Sequence, residues 1–446
     1  MDANMKIVAI YKTWDGGEFV DASLASIYDH VDHIVMVHSE VSWLGERGNT
    51  VRRPAMEWCS QFDKVGKVHH IDVELTSQEA QYAAGIDYIG RHKLGDIVMV
   101  VDADEVWEAQ YIENARRQIH DRPSPAYRSA MQTYLKAPFY QVDPPYGLPT
   151  TFLRDPIHLT RSPRGCRAPT IHLSDVWMHH YTYVRETRSD VERKIRQSAL
   201  ADKNNEAIVS GWMETVYDRM PDGENLHAFE KHRSKWKRIR KVWLPDMPPA
   251  MRRSKGMGQW LPMETIGDML LEGEINTIQR LAAGRAQAVD LGTYRGLSAI
   301  ALSIACRRVH TIDCYSDLPA DAFADSLDPR RYESMRDYSF AENQALFKRF
   351  GNITCESART AEVASTWTGG DVDVLFVDAD HSEHGTLADV QAWRRHMRTG
   401  ARIILHDNND IHPGVQAAIN KMRSDPWLRF IDPGEYSGSV AACEVL

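Results

Sequence analysis

The sequence predicts an α/β protein with two domains, each built on a mostly parallel sheet. Short apolar segments of strand character alternate with segments of helical spacing over residues 5–110, and the same alternation returns from residue 286. At 446 residues the chain is too long for one ordinary hydrophobic core. Prolines cluster between the two series, so we predict domains at residues 1–243 and 258–446, joined by a linker at 244–257.

The first series contains four segments that read as buried strands, at residues 5–11, 33–38, 67–73 and 96–107, the last of them ending in acid. Helical spacing lies between them, at residues 19–29 and 77–94. From about residue 125 to 180 the segments become shorter and richer in aromatic residues and proline, which predicts a less regular part facing the substrate. Residues 186–242 are highly charged, and we expect them to be mostly helical.

The second series repeats the alternation with shorter connections. Its predicted strands lie at residues 286–291, 309–313, 352–355, 373–378 and 403–406. Its predicted helices lie at residues 263–283, 298–306, 338–350 and 386–397. Because parallel strands put their carboxyl ends at one edge of a sheet, we expect the polar residues after these strands to meet there.

Charge is spread unevenly along the chain. The net charge is −9, and residues 257–446 carry 18 Lys/Arg against 27 Asp/Glu, so residues 1–256 hold 35 of each and are neutral. A uniformly basic surface is absent, which argues against nucleic acid as a partner. Lys231–Lys241 is a local exception, with seven Lys/Arg in eleven residues. We expect a solvated helix face there, with a phosphorylated or lipid-linked acceptor or a membrane surface as the alternatives.

The sequence predicts a cytoplasmic protein, with a peripheral position at the inner face of the membrane as a variant of that prediction. No apolar run approaches the roughly 18 residues that a membrane-spanning helix needs. The first residues enter a strand-like run without a signal-peptide pattern. The six cysteines show no CxxC pair or metal-ligand spacing, as expected for reduced thiols.

A glycine turn follows the first strand of the second series, in the sequence Asp290-Leu-Gly-Thr-Tyr-Arg-Gly-Leu-Ser298. Gly292 and Gly296 would let the backbone approach a ligand closely, although tight packing of a helix on a strand is an alternative reason for glycine. About 20 residues further on, Asp313 ends the next strand, where a carboxylate can bind ribose hydroxyls.

Two later strands end in acid. Asp378 and His381 follow one strand, and Asp407 and Asn408 follow the next. At a shared sheet edge these side chains would form an oxygen-rich site for a divalent metal, with a titratable neighbour.

On these motifs, residues 258–446 resemble class I S-adenosylmethionine-dependent methyltransferases, most closely the metal-dependent O-methyltransferases of the catechol and macrocin types. The resemblance implies a Rossmann-like fold with S-adenosylmethionine and Mg²⁺ as cofactors. It implies that Mg²⁺ is held by Asp378, Asp407 and Asn408. It implies that the cofactor contacts Asp290, Gly292, Tyr294 and Gly296. It also implies that the ribose of the cofactor binds Asp313 and that its adenine lies near Ser357.

His381 stands where the catechol type has a lysine general base. A histidine has a pKa suited to accepting a hydroxyl proton, so we predict His381 as the catalytic base. His406 and Asp380 are the competing candidates, and a polar loop residue without a catalytic role is the remaining alternative.

In the first half, Asp102-Ala-Asp-Glu105 follows a buried strand. Carboxylates at this spacing can hold a divalent ion against a diphosphate, although a solvated strand end is the usual meaning of the pattern. With the strand before it, the segment resembles GT-A glycosyltransferases of the family 2 type, well over residues 5–110 and loosely over 110–243. The resemblance implies a catalytic Asp104 and a Mn²⁺ or Mg²⁺ ion held by Asp102 and Asp104. His180 is the predicted third ligand, although the sequence does not distinguish it from His179.

The combined prediction is a bifunctional enzyme that transfers a sugar from a nucleotide-sugar donor and O-methylates a sugar hydroxyl of a glycan or glycoconjugate. The chain around residue 38 departs from the turn that many such glycosyltransferases share, so the donor is left open. Two alternatives remain: a methyltransferase with a non-catalytic carbohydrate-binding first half, and a modifier of glycosylated nucleic acid. Homo-oligomers are compatible with either.

Overall fold

The computed structural model divides into two compact units, residues 1–240 with 248–257 and residues 241–247 with 258–446. It describes residues 5–42, 45–74, 77–154, 166, 168–201, 211–220, 223–228, 230–243, 246–255, 257, 260, 270, 272–314, 340–434 and 438–446. The predicted linker residues 244–245 and 256, and the predicted helical residues 202–210, 221–222, 229, 263–269, 271 and 338–339, lie outside that description.

The N-terminal unit is built on a mixed sheet. Its strands are β1 (Ile7–Thr13), β2 (His33–Ser39), β3 (Val68–Val73), β4 (Ile97–Val101), β5 (Glu105–Trp107), β6 (Ala126–Leu135), β7 (Tyr140–Asp143), β8 (Thr150–Leu153), β9 (Thr170–Tyr183) and β10 (Arg238–Lys241). Its helices are α1 (Val20–Ile27), α2 (Arg52–Phe62), α3 (Gln78–His92), α4 (Ala109–Asp121), α5 (Arg188–Ala201) and α6 (Pro249–Arg252). Shorter helical turns span Gly17–Phe19, Tyr28–His30, Met213–Tyr217 and Glu230–Lys235.

Among the described residues the strands run in the order β10-β7-β6-β8-β4-β1-β2-β3, and β9 pairs with both β5 and β6. β4, β1, β2 and β3 are mutually parallel, which agrees with the prediction for residues 5–101. The five residues of β4 are all buried, as expected of a strand covered on both faces. The carboxyl ends of β1, β2 and β4 therefore meet at one edge, beside the segment that contains Asp102 and Asp104.

Two expectations for the later part of this unit were wrong. The described part of residues 125–180 contains two long regular strands: β6 has 10 residues and β9 has 14. Their aromatic side chains fill the core beside the sheet. The basic run is also not one helix face, because a short 3-10 helix at Glu230–Lys235 is followed by β10.

The C-terminal unit is built on a second sheet. Its strands are β11 (Gln287–Leu291), β12 (Arg308–Asp313), β13 (Ile353–Ser357), β14 (Val372–Val377), β15 (Met397–Leu405), β16 (Leu428–Ile431) and β17 (Ala441–Val445). Its helices are α7 (Glu272–Ala282), α8 (Leu297–Ala305), α9 (Phe340–Lys348), α10 (Thr360–Thr366), α11 (Glu383–Trp393) and α12 (Pro413–Met422), with a 3-10 turn at Arg394–His396.

The described strands of this unit run in the order β13-β12-β11-β14-β15-β17-β16. The first five are parallel, and β17 runs antiparallel to both β15 and β16. Strand order reverses between β11 and β14, and such a switch point opens a crevice at the carboxyl ends of the two strands. The unit is thus a Rossmann-like α/β domain whose switch point lies beside the glycine turn and Asp378.

Neither transmembrane segments nor disulfides are found in the described structure. None of the described helices is both long and apolar enough to cross a membrane. All six cysteines are unpaired, and Cys306 and Cys443 are buried.

Candidate functional site

The glycine turn of the C-terminal unit lies against the end of the neighbouring strand. The Asp378 N–H donates a hydrogen bond to the carbonyl oxygen of Leu291 over 2.9 Å. Gly292 has a φ of +89°, and a Cβ at this position would overlap the carbonyl of Asp378. Only glycine therefore fits this close contact between the two strand ends without displacing either of them.

Replacing Gly292 by alanine should destabilise the C-terminal unit by about 1–3 kcal/mol, since the left-handed backbone and the overlap both oppose the methyl group. Gly284→Ala is the matched control, because Gly284 has a φ of +73° but open space around its Cα. Urea unfolding of the two variants separates backbone strain from the overlap. Equal losses of unfolding free energy in both variants would show that the overlap with Asp378 does not destabilise Gly292→Ala.

The turn continues through Tyr294 towards the end of β12. Tyr294 has a φ of 43°, and its N–H donates a hydrogen bond to Asp313 Oδ2 over 2.7 Å. Asn343 Nδ2 donates to the carbonyl of Tyr294 over 2.6 Å, and Gly296 begins α8 with a φ of 88°. Asp313 also pairs in register with Ser357 at the end of β13. The predicted cofactor residues of β11, β12 and β13 thus share the carboxyl edge of the sheet.

Asp290 lies in the core beneath this turn and is fully buried. Thr311 Oγ1 donates a hydrogen bond to Asp290 Oδ2 over 2.6 Å. Burial, with the nearby charges of Asp378 and Asp313, raises the pKa of Asp290 to about 7 in spite of the hydrogen bonds from Thr311 and Ser298. The carboxyl group of Asp290 is not open to solvent, and it joins Thr311 of β12 to Ser298 of α8 beside the turn.

Asp290→Asn should change how stability depends on pH. The folded-state pKa, about 7, lies above the unfolded value of 3.8. Wild-type stability should therefore fall as pH rises from about 4 to about 7, by up to about 4 kcal/mol. Asparagine does not titrate, so the variant should gain on the wild type over that interval. Thermal unfolding from pH 4 to 8 without cofactor measures this, and parallel profiles for the two proteins would exclude the raised pKa.

Two carboxylates and a histidine meet where β14 and β15 end. His381 Nε2 lies 3.0 Å from Asp407 Oδ2 and 3.4 Å from Asp378 Oδ1. Burial alone would lower the pKa of His381, but its hydrogen bonds to Asp378 and Asp407 and the charges of both raise it to about 9. The same cluster lowers the pKa of Asp407 to about 2, against the effect of burial. The cluster is thus ionised at neutral pH.

His406 lies behind these carboxylates and is buried. Its Nδ1 lies 3.2 Å from Asp378 Oδ1 and 3.5 Å from Asp407 Oδ1. Its Nε2 faces Glu274 Oε2 at 3.4 Å, and the hydroxyl and backbone N–H of Ser439 both donate to Glu274 Oε1. A histidine held on both sides in this way has a fixed orientation and no ring nitrogen directed to solvent.

His412 completes the cluster, and sequence reasoning missed it. Its Nε2 lies 3.2 Å from Asp407 Oδ2, and its ring centroid is 4.4 Å from that of His381. The backbone N–H of Asn408 donates a hydrogen bond to the carbonyl oxygen of Ser439. The only sequence signal for His412 was its place just before Pro413 at the start of α12.

The acidic segment of the N-terminal unit also gathers possible ligand atoms. Asp102, Asp104 and His180 each offer one ligand atom, and these atoms lie within 4.8 Å of one another. His180 Nε2 is 3.5 Å from Asp104 Oδ1. The structure separates the two histidines that the sequence left equivalent, because His179 points to the other face of β9, where it contacts Glu108 and Tyr134 at 3.0 and 2.9 Å.

Basic side chains surround these carboxylates, and they were not predicted from the sequence. Lys12 Nζ lies 2.9 Å from Asp102 Oδ1, and the Arg185 guanidinium donates to Asp104 Oδ2 over 2.7 Å. Lys194 lies 3.9 Å from the same Asp104 oxygen. Burial alone would raise the pKa of Asp104, but Lys194, His180 and Arg185 hold it well below the usual range. The site combines two carboxylates with three cationic groups.

Comparison with known proteins bears on the C-terminal unit. Residues 289–408 match a family model described as "Methyltransferase domain". The match begins within β11 and ends just after Asp407, so it contains the glycine turn and both acidic strand ends. The C-terminal unit therefore contains a methyltransferase domain. No match was found among the curated proteins.

Solved structures with similarity to this chain include three whose names describe methyltransferases or a bound cofactor. The O-methyltransferase from Bacillus cereus in complex with SAH has 14% identity, with 39% of this chain and 80% of that chain covered and a TM-score of 0.27. The O-methyltransferase NovP has 14% identity, 39% and 79% coverage and a TM-score of 0.32. Cofactor-bound Rv0187 from MTB has 18% identity, 40% and 81% coverage and a TM-score of 0.30. At these values the likenesses carry no argument about substrate.

Proposed function

We propose that the C-terminal unit is an S-adenosylmethionine-dependent O-methyltransferase. The observation that carries the proposal is the reversal of strand order between β11 and β14, which brings the glycine turn and the cluster of Asp378, His381 and Asp407 to one edge of the sheet. The match of residues 289–408 to a methyltransferase family model supports it. A methyl donor and an acceptor hydroxyl can meet at this edge.

The residues around the crevice fit both groups that the proposal requires. Asp313 at the end of β12 accepts the hydrogen bond of the Tyr294 N–H, and the left-handed backbone of Gly292 lies directly against the end of β14. The proposed cofactor contacts are therefore Gly292, Tyr294, Gly296, Asp313 and Ser357, with Asp290 positioning the turn. When bound, S-adenosylmethionine supplies an activated methyl group, and transfer needs mainly in-line positioning.

A divalent cation fits the paired carboxylates Asp378 and Asp407, with Asn408 as the proposed third ligand. Such a cation would supply Lewis acidity that favours the ionised acceptor hydroxyl. His381 is the proposed base for that hydroxyl. Its raised pKa depends on two unshielded carboxylates, so neutralising their charge would release the proton and leave an imidazole able to accept another.

The methyltransferase proposal is tested by binding and by product formation. Isothermal titration of the full chain with S-adenosylhomocysteine should show one site, which Asp313→Ala weakens. Incubation with S-adenosylmethionine and a panel of glycans should give products heavier by one methyl group on oxygen. Absence of cofactor binding would exclude the proposal outright.

We further propose a glycosyltransferase in the N-terminal unit, because Asp102, Asp104 and His180 can together hold a divalent ion at the carboxyl end of a parallel sheet. Lys12 and Lys194 add positive charge at the same place, which suits the diphosphate of a nucleotide sugar. The donor site would thus use Mn²⁺ or Mg²⁺ with these two lysines. Its test is hydrolysis of UDP- and GDP-sugars, which Asp102→Ala should abolish.

The two activities together suggest a glycan or glycoconjugate as the acceptor, with sugar transfer and methylation on one product. Mass spectrometry after incubation with sugar nucleotides, S-adenosylmethionine and glycan acceptors tests this directly. A product that gains both a sugar and a methyl group supports coupled action. Methylation without sugar transfer from any donor would favour the alternative in which the first half only binds carbohydrate.

A further inference from the structure

The donor atoms around Asp407 differ from the all-oxygen set expected for Mg²⁺. Asp407 Oδ2 has two imidazole nitrogens as neighbours, His381 Nε2 at 3.0 Å and His412 Nε2 at 3.2 Å. These three residues form a group whose ligand atoms all lie within 4.8 Å of one another. Two imidazoles that converge on one carboxylate oxygen reproduce the arrangement of ligands around a shared cation.

The backbone holds the two histidines together. A Cβ at Gly414 would come within 2.8 Å of the Glu383 nitrogen, so glycine allows the start of α12 to lie against the loop after β14. Asn409 Oδ1 accepts hydrogen bonds from the N–H groups of Ile411 and His412 over 3.0 and 3.1 Å, which fixes the turn before the helix. Asp407 has a φ of 58°, a conformation that asparagine and aspartate tolerate best. His412 is thus placed by the fold.

A third imidazole, that of His406, lies next to the same carboxylates. His406 Nδ1 faces both carboxylates, while its Nε2 faces the carboxylate of Glu274. His406 thus orients Asp378 and Asp407 from behind, as residues that surround a metal site commonly orient its ligands. Imidazole nitrogen favours divalent ions of the later first transition series, whereas Mg²⁺ prefers oxygen and retains water.

We propose that this site binds a transition-metal dication of the Fe²⁺ to Zn²⁺ group through His381, His412 and Asp407, and that Mg²⁺ is not its preferred ion. The inference rests on the proposed methyltransferase function, because it names the metal of that same crevice. It makes His381 and His412 ligands in place of Asn408, changes the class of ion, and takes Nε2 of His381 out of the role of base. Asp378 Oδ1, which is 3.4 Å from His381 Nε2, would lie beside such an ion.

The test uses the chelator-treated full chain and two probes, Co²⁺ and Mg²⁺, added separately. Calorimetry should give a Co²⁺ affinity at least about 100-fold higher than that for Mg²⁺. The visible absorption of bound Co²⁺ should report nitrogen ligation without any need for catalysis. Each titration is repeated in His180→Gln, so that an ion bound in the N-terminal unit is recognised by its loss.

His412→Gln should lower the Co²⁺ affinity by about 10- to 100-fold and alter its absorption, with Mg²⁺ binding unchanged. His384→Gln is the control, because His384 is an exposed histidine at the start of α11. His381→Gln is the second variant and should match His412→Gln. Equal affinities for the two ions, or an unchanged Co²⁺ spectrum in both variants, would overturn the proposal.

Titration of the same preparations with S-adenosylhomocysteine distinguishes failure of the metal inference from failure of the methyltransferase proposal. If the cofactor analogue binds and Co²⁺ shows no preference over Mg²⁺, the metal inference fails and the methyltransferase proposal stands. If the analogue does not bind, the proposed function fails, whatever the outcome for the metal.

Discussion

Asp407→Asn is expected to reduce methyl transfer by about a thousandfold. Asp407 is the carboxylate that His381, His406 and His412 all face, so its loss removes the charge on which the proposed metal site depends. A bound metal contributes several kcal/mol to charge stabilisation, and about 4 kcal/mol corresponds to three orders of magnitude in rate. Asparagine keeps the shape of the side chain and tolerates the left-handed backbone at this position.

The measurement compares kcat for methyl transfer with the affinity for S-adenosylhomocysteine. The loss should fall on kcat and on metal binding, since the proposed cofactor contacts lie at the ends of other strands, β11, β12 and β13. Asp410→Asn is the control, because Asp410 is an exposed acid of the same loop whose Oδ1 accepts a hydrogen bond from Gln416. A variant that keeps more than a tenth of the wild-type rate would remove Asp407 from the mechanism.

The sequence predicted the strands of both sheets where apolar residues run without interruption. Segments such as residues 97–101 are buried on both faces, so their composition alone marks them as central strands. The same reasoning predicted that Asp378 and Asp407 would meet, because parallel neighbours end at one edge of the sheet. Edge and antiparallel strands were harder to predict. In β9 exposed and buried residues alternate irregularly, and aromatic residues replace the aliphatic run.

The residues of both sites that could not be predicted from the sequence lie far along the chain from the residues they contact. Arg185 lies 81 positions from Asp104, and Glu274 lies 132 positions from His406. No local spacing connects such pairs, so only the fold identifies them. His179 and His180 show the opposite case. Once β9 is known to be a strand, alternation of its side chains assigns them to opposite faces.

Arg185→Leu is expected to destabilise the N-terminal unit by about 3–5 kcal/mol, the usual cost of removing one partner of a buried ion pair. The Arg185 side chain is 1% exposed, and its guanidinium donates to Asp104 and to Glu18 over 2.7 Å each. Its Nε also donates to the carbonyl of Thr182 over 3.0 Å. Leucine would leave two carboxylates without the cation that lies between them.

Arg188→Leu is the matched control three residues later. Arg188 also contacts two carboxylates, those of Asp218 and Glu192, but its side chain is 44% exposed, so we expect a loss below about 1 kcal/mol. Urea unfolding followed by tryptophan fluorescence compares the two variants. Similar losses would mean that burial adds nothing to the Arg185 pairs.

The loss of stability caused by Arg185→Leu should depend on pH. The pKa of Asp104 is depressed in the folded state, so its ion pairs add stability above the unfolded value of 3.8, and this is lost as pH falls below it. The difference between wild type and Arg185→Leu should therefore shrink below about pH 4 as carboxylates become protonated. Arg185→Lys should lie between the two, because one ammonium group cannot reproduce the forked contact with Asp104 and Glu18. Arg185 is thus a positioning residue: it occupies Asp104 Oδ2 and leaves Oδ1 directed towards His180, where the proposed donor site needs it.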